Sequence, residues 1–244
     1  MTGSRTLATA GRVLRQLSHD HRSVALMLAA PSLLVGLFAW LYSGQPGVFD
    51  RLGGAILVLF PFTVMFLVTS IATLRERRSG TLERLMTTPL GKADFIVGYA
   101  LAFGLVAVLQ AVVTVTFSVW VCGLDVAGSL PAMMLVAVVA AVLGTALGLL
   151  ASAFARTEFQ ATQFMPVLVF PQVLLGGLLM PRASMPGALR AFSDWLPLSY
   201  AIDAVTAATT GDDGWSLWRP LLVVPAFGVG CLALASLTLR RRTP

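Results

Sequence analysis

The side chains best suited to metal binding or proton transfer stand together at one place, His19-Asp20-His21. Two imidazoles at i and i+2 do not share a helix face, so no metal site is expected from them. Cys122 and Cys231 lie in apolar stretches without CxxC or Cys/His spacing and read as small packing residues. The only Gly-Lys pair, Gly91-Lys92, is followed by Ala93 and lacks a glycine five positions before Gly91, so it forms no phosphate-cradling loop. An HExxH-type protease or a serine hydrolase would need a histidine near its partner residues. Both histidines instead sit in a basic N-terminal segment. The expectation is a chain with no catalytic residue, no metal and no cofactor of its own. What remains is a set of amides inside apolar runs, Gln110, Gln160, Gln163 and Gln172, and one charged loop over residues 75–92.

The elements that must position these residues follow from composition. Of 244 residues, 57% are hydrophobic and 11% charged, whereas soluble domains carry about 25% charged residues. With mean hydropathy at +0.85, a water-soluble globule is excluded. Six runs free of Asp, Glu, Lys and Arg are each long enough to span a bilayer: Val24–Ser43, Leu52–Leu74, Phe95–Val121, Leu130–Phe154, Phe159–Met180 and Pro220–Leu239. Unsatisfied backbone groups are intolerable in hydrocarbon, and the runs are too long for barrel strands, so they are predicted to be helices. The expected fold class is an all-α integral membrane protein, a single transmembrane domain over 1–244 with six transmembrane helices. The first run has no small-residue cleavage pattern and is read as a span rather than a signal peptide.

Charge sets the expected orientation. Thirteen of the 17 basic residues fall before the first run, between the second and third, at Arg156 or in the tail, and six of the 11 acids fall on the opposite side. By the positive-inside rule both termini are cytoplasmic. The net charge of +6 then reflects topology and lipid headgroups, and nothing requires nucleic acid. Residues 5–22 place Arg5, Arg12, Arg15, His19 and Arg22 on one helical face and Leu7, Ala10, Val13, Leu14 and Leu17 on the other, which predicts an amphipathic helix in the membrane interface. Arginine supplies 16 of the 17 basic residues, a composition that points to a GC-rich bacterium and hence a bacterial inner membrane.

Within the 75–92 loop, Gly80 ends the second helix, Thr81 caps a short helix, Glu83 sits in its first turn and Pro89 stops it. Leu82, Leu85 and Met86 then form an apolar ridge that either meets a partner or dips into the headgroups. The run Arg75-Glu76-Arg77-Arg78-Ser79-Gly80-Thr81-Leu82-Glu83-Arg84-Leu85-Met86-Thr87-Thr88-Pro89 resembles the loop between the second and third spans of type-2 ABC transporter permeases, including the daunorubicin-resistance drug-efflux subunits. A second resemblance lies in the segment 181–216, where a proline-broken fifth span, Gly176-Gly177 and Pro181 lead to Leu196-Pro197-Leu198-Ser199-Tyr200 and Asp203. The family's Asn is replaced here by Leu196.

The resemblance implies that the loop is a coupling helix docking on an ATPase subunit, with Gly80, Thr81, Leu82, Glu83, Leu85, Met86 and Pro89 as its contact residues. It further implies two ABC ATPase subunits that hold ATP and Mg, a second permease copy or paralogue, and an outer re-entrant segment over 181–216. The expected function is the permease of an ATP-driven exporter of a drug-like or amphiphilic cargo, of the kind that confers antibiotic resistance. Export of a lipid-linked glycan or other envelope component is the alternative, and an ATPase-independent scaffold or immunity protein is the rival. Absence of acids from the runs argues against a proton- or sodium-coupled carrier. Gln110, Gln160, Gln163 and Gln172 line a translocation route or hold helices together, and Gly144 and Gly148 allow close helix packing within the subunit or between copies.

Overall fold

The computed structural model describes residues 3–79, 91–212 and 214–238. Its helices are α1 (Gly3–His19), α2 (His21–Leu41), α3 (Pro46–Arg78), α4 (Lys92–Trp120), α5 (Leu130–Phe154), α6 (Glu158–Leu175), α7 (Gly187–Ser193), α8 (Pro197–Thr210) and α9 (Trp215–Thr238), with one 3-10 turn at Arg182–Ser184. Among the described residues, five helices have the length and hydropathy to cross a membrane: α2, α3 from Gly47, α4, α5 and α9. The protein is an all-α integral membrane protein.

Each of the six apolar runs contains a long helix among the described residues. Leu130–Phe154 has the expected bounds, and α3 outruns its expected range at both ends. Ser129 caps α5 by accepting from the Ala132 N–H. The fifth run differs most: α6 begins at Glu158 and stops at Leu175 rather than Met180. Gly176 and Gly177 follow, and Gly177 takes φ +101°, a left-handed conformation that turns the chain away. At 18 residues, with Pro166 and Pro171 inside, α6 is the shortest of the six.

The spine of the bundle is the packing of α3 against α5. Gly144 and Gly148 make it possible: a Cβ at Gly148 would stand 2.6 Å from the Phe66 carbonyl oxygen, and one at Gly144 would overlap the Phe62 carbonyl. The GxxxG row therefore serves packing within the subunit. Phe62, Phe66, Met133 and Leu143 are buried along this seam.

The expected N-terminal helix forms, but it ends at His19, and residues 21–22 belong to α2. Asp20 makes the break. Its carboxylate accepts from the Ser23 N–H at 3.1 Å and the Ser23 hydroxyl at 2.6 Å, capping α2, and these bonds hold it below the usual carboxylate range. Ala10 and Val13 are buried as expected, whereas Leu7 is exposed and Arg12 turns inward. The helix lies mainly on α4. Gly98 admits it so closely that an added Cβ would meet the Thr9 side chain at 2.7 Å.

Candidate coupling site

The helices that flank the 75–92 loop are tied to three others at one end of the bundle. Arg12 of α1 donates from Nη1 to Glu76 Oε1 of α3 at 2.7 Å and from Nη2 to the Tyr99 hydroxyl of α4 at 3.0 Å. Its guanidinium also lies 5.8 Å from the Tyr99 ring centre. Thr6 Oγ1 donates to Asp94 Oδ1 at 3.1 Å, while Asp94 Oδ2 accepts the Gly91 N–H at 3.2 Å and so caps the start of α4. Arg77 is buried and donates to the Ser152 carbonyl near the end of α5. Arg75 meets Glu158 at the start of α6 with two parallel bonds of 2.9 Å. The α3 end of the loop is thus anchored on α1, α5 and α6, and the α4 end on α1.

Sequence reading did not select Arg12, Glu76, Asp94, Tyr99 or Glu158. A helical wheel assigns Arg12 to a polar face without showing whether water or another helix lies beyond. The usable signals were Glu76 as the lone acid among Arg75, Arg77 and Arg78, and Tyr99 as the lone tyrosine of its run. A buried tyrosine hydroxyl needs a partner. Gly80, Thr81, Leu82, Glu83, Leu85, Met86 and Pro89 lie outside the described residues.

The four glutamines separate. Pro31 has no N–H to offer the Met27 carbonyl one turn before it, and Gln110 Nε2 fills that vacancy at 2.7 Å, joining α4 to α2. Gln172 Oε1 accepts the Leu198 N–H at 3.2 Å in the first turn of α8, and its Nε2 donates to the Leu168 carbonyl at 2.8 Å. It supplies from α6 the N-terminal bond that Leu196, the N-cap of α8, has no side chain to make. Gln160 Oε1 accepts the Arg156 N–H at 2.8 Å at the start of α6. Gln163 is exposed on α6 beside Thr162, Pro166 and Val167 and has no hydrogen bond among the described residues.

At the far end, Arg182 bonds both Asp194 and Asp203 and lies 5.4 Å from the centre of the Tyr200 ring. The Tyr200 hydroxyl donates to the Asp194 carbonyl at 2.8 Å, and Ser193 Oγ donates to the Leu175 carbonyl at 2.7 Å. These bonds fold the segment after α6 into a cap of α7 and α8. Beneath it is a cavity of about 1050 Å³ reached by Arg51, Arg182, Asp203, Thr206 and Trp215.

A family model described as ABC-2 type transporter matches residues 5–209, from α1 to α8. The chain belongs to the ABC-2 type transporter family. Among curated proteins it is similar to the "Probable multidrug ABC transporter permease YbhR" of Escherichia coli, 32% identical over 172 residues, 66% of this chain and 45% of that protein. It is similar also to the "Inner membrane transport permease YhhJ" of the same species, 25% identical over 192 residues, 78% of this chain and 51% of that one. A more distant likeness is the "Linearmycin resistance permease protein LnrN" of Bacillus subtilis, 23% identical over 151 residues, 59% of this chain and 39% of that one. The chain spans about half the length of the first two relatives. For this ABC-2 type transporter chain, the matched range includes both the Arg12–Glu76 tie and the Arg182 cap.

Proposed function

We propose that this chain is the membrane-spanning permease of an ATP-driven exporter, with its basic end in the cytoplasm and the 75–92 loop as the point that receives force. A separate pair of ABC ATPase subunits would hold ATP and Mg and supply the hydrolysis, and a second permease would complete the pathway. The membrane is the inner membrane of a bacterium.

The observation that carries this reading is the anchoring of both ends of the loop. Motion of the loop acts on the end of α3, which passes it to α5 through the Arg77 bond to the Ser152 carbonyl and to α6 through the Arg75–Glu158 pair. α6 is suited to respond, since Pro166 and Pro171 remove two ladder donors from within it. Its exposed face carries the unpartnered Gln163 among apolar neighbours, and an amide at membrane depth needs a cavity or a neighbouring subunit. A route walled by α6 and a second permease satisfies it. The apolar character of that face suits a hydrophobic or amphiphilic cargo, drug-like in the first instance.

The test is Glu83→Arg combined with Leu85→Asp, read by copurification of the ABC ATPase and by ATP-driven export from vesicles. Loss of both, with the permease still folded, is the expected result. Retention of both removes the loop from the coupling path, and a permease that moves cargo without any ATPase refutes the assignment as an ABC exporter.

A further inference from the structure

A second cavity lies at the basic end, away from the exposed face of α6. It has a volume of about 600 Å³, within the range of about 300–1,000 Å³ common for small-molecule sites. Its walls come from four helices: Val13 of α1, Met27 and Ala30 of α2, Val64 and Val68 of α3, and Phe103 of α4. Its polar residues gather at the end nearest the 75–92 loop, at Gln16, Asp20, Ser23, Arg75, Glu76 and Ser79.

The apolar part of the groove fits within half a bilayer. Along α3 the lining runs from Val64 to Ser79, and its apolar part, Val64 to Ala72, is about 12 Å long at 1.5 Å per residue. Half the hydrocarbon core is about 15 Å. An acyl chain of one leaflet would lie along the walls with its headgroup at the rim.

Charge selects the headgroup. Of the rim carboxylates, Glu76 is paired with Arg12, whereas Asp20 keeps its charge and is held by hydrogen bonds from Ser23. Arg75 spends Nε and Nη2 on Glu158, which leaves Nη1 without a partner among the described residues, and its side chain is 67% exposed. The Gln16 amide is likewise exposed and has no hydrogen bond among them. By sequence, this end carries thirteen basic residues against five acids, Asp20, Glu76, Glu83, Asp94 and Glu158. Such an excess attracts anionic lipids over zwitterionic ones.

We propose that the groove between α1, α2, α3 and α4 binds one anionic phospholipid of the leaflet at the basic end, its acyl chain against Val64, Val68 and Phe103 and its phosphate at Arg75 Nη1 and Gln16. Bound there, the lipid would brace the Arg12–Glu76 tie from its membrane side. The site is independent of cargo identity and of any ATPase.

The experiment uses the full chain, purified in mild detergent and exposed to phosphatidylglycerol and phosphatidylcholine with identical acyl chains, with retained lipid counted by native mass spectrometry. One phosphatidylglycerol per chain is expected, retained at least tenfold over phosphatidylcholine. Ala72→Trp, which fills the groove, lowers retention at least tenfold, and Arg75→Gln abolishes the preference between the two lipids. Leu105→Trp, on the exposed face of α4, changes neither. Ala30→Trp replaces Ala72→Trp if the latter fails to fold, as judged by thermal unfolding. Equal retention of both lipids by the unmodified chain overturns the proposal. So does unchanged retention in the groove-filling variant. Loss of self-association in that variant, without loss of lipid, would assign the groove to a second copy and overturn it equally.

Discussion

The two ends of the bundle both use arginine, to opposite effect. At the basic end Arg12, Arg75 and Arg77 reach residues 64, 83 and 75 positions away and join helices from different parts of the chain. At the far end Arg182 reaches Asp194 and Asp203, only 12 and 21 positions away, and closes one local segment on itself. A long-range tie makes separate helices move together, whereas a local tie keeps a cap folded while the helices beneath it shift. In the proposed mechanism one arrangement transmits motion and the other contains it.

The sharpest way to break this contrast is Glu76→Ala. Glu76 is 9% exposed, and its removal leaves Arg12 facing Tyr99 without a carboxylate. A loss of about 3 kcal/mol is expected, measured as a fall in thermal unfolding midpoint in detergent, together with at least a tenfold fall in export. The double variant Arg12→Ala/Glu76→Ala should recover part of the stability. A double variant no more stable than the single one would mean that the pair is no strut.

Arg182→Ala is next, at about 2 kcal/mol for the lost charged hydrogen bonds. Limited proteolysis should then cut within residues 181–196, while ATPase association stays at the level of the unmodified protein. Reduced association would show that the far end also transmits. Gln172→Leu should cost about 1 kcal/mol, the usual value of a helix-start bond. Hydrogen exchange at the Leu198 amide should speed up while exchange in α1 is unchanged.

The smallest effect belongs to Arg75→Gln or Glu158→Gln. Their side chains are 67% and 46% exposed, and exposed pairs contribute below about 1 kcal/mol. The difference in unfolding midpoint should vanish at high salt, because screening removes the attraction between exposed charges. A salt-resistant loss of several degrees would make this pair a strut like Arg12–Glu76 rather than a surface link.

Several features were legible without coordinates. Leu130–Phe154 has the bounds that its apolar run announced, with Ser129 at its N-cap. The early end of α6 was partly legible in Gly176-Gly177, although apolar composition alone carried the run on to Met180. The replacement of the family's Asn by Leu196 left α8 without an obvious first-turn acceptor. No local pattern could reveal that Gln172, 26 positions upstream, supplies it. Gln110 belongs to the same class: Pro31 announces a free carbonyl at Met27, but only the packing of α4 on α2 brings the amide to it.

The sequence by itself determined the solvent and the elements. Apolar runs of bilayer length must become helices because hydrocarbon offers their backbone no other partner, and the asymmetry of arginine sorts the connecting segments into two groups. Tertiary structure decided the partners. Whether Arg12 meets water or Glu76, and whether Gly144 and Gly148 face α3 or another chain, depends on which helices are neighbours. Periodicity repeats every few residues and gives each helix its faces, while neighbours are chosen by close packing and buried hydrogen bonds between segments far apart in the chain.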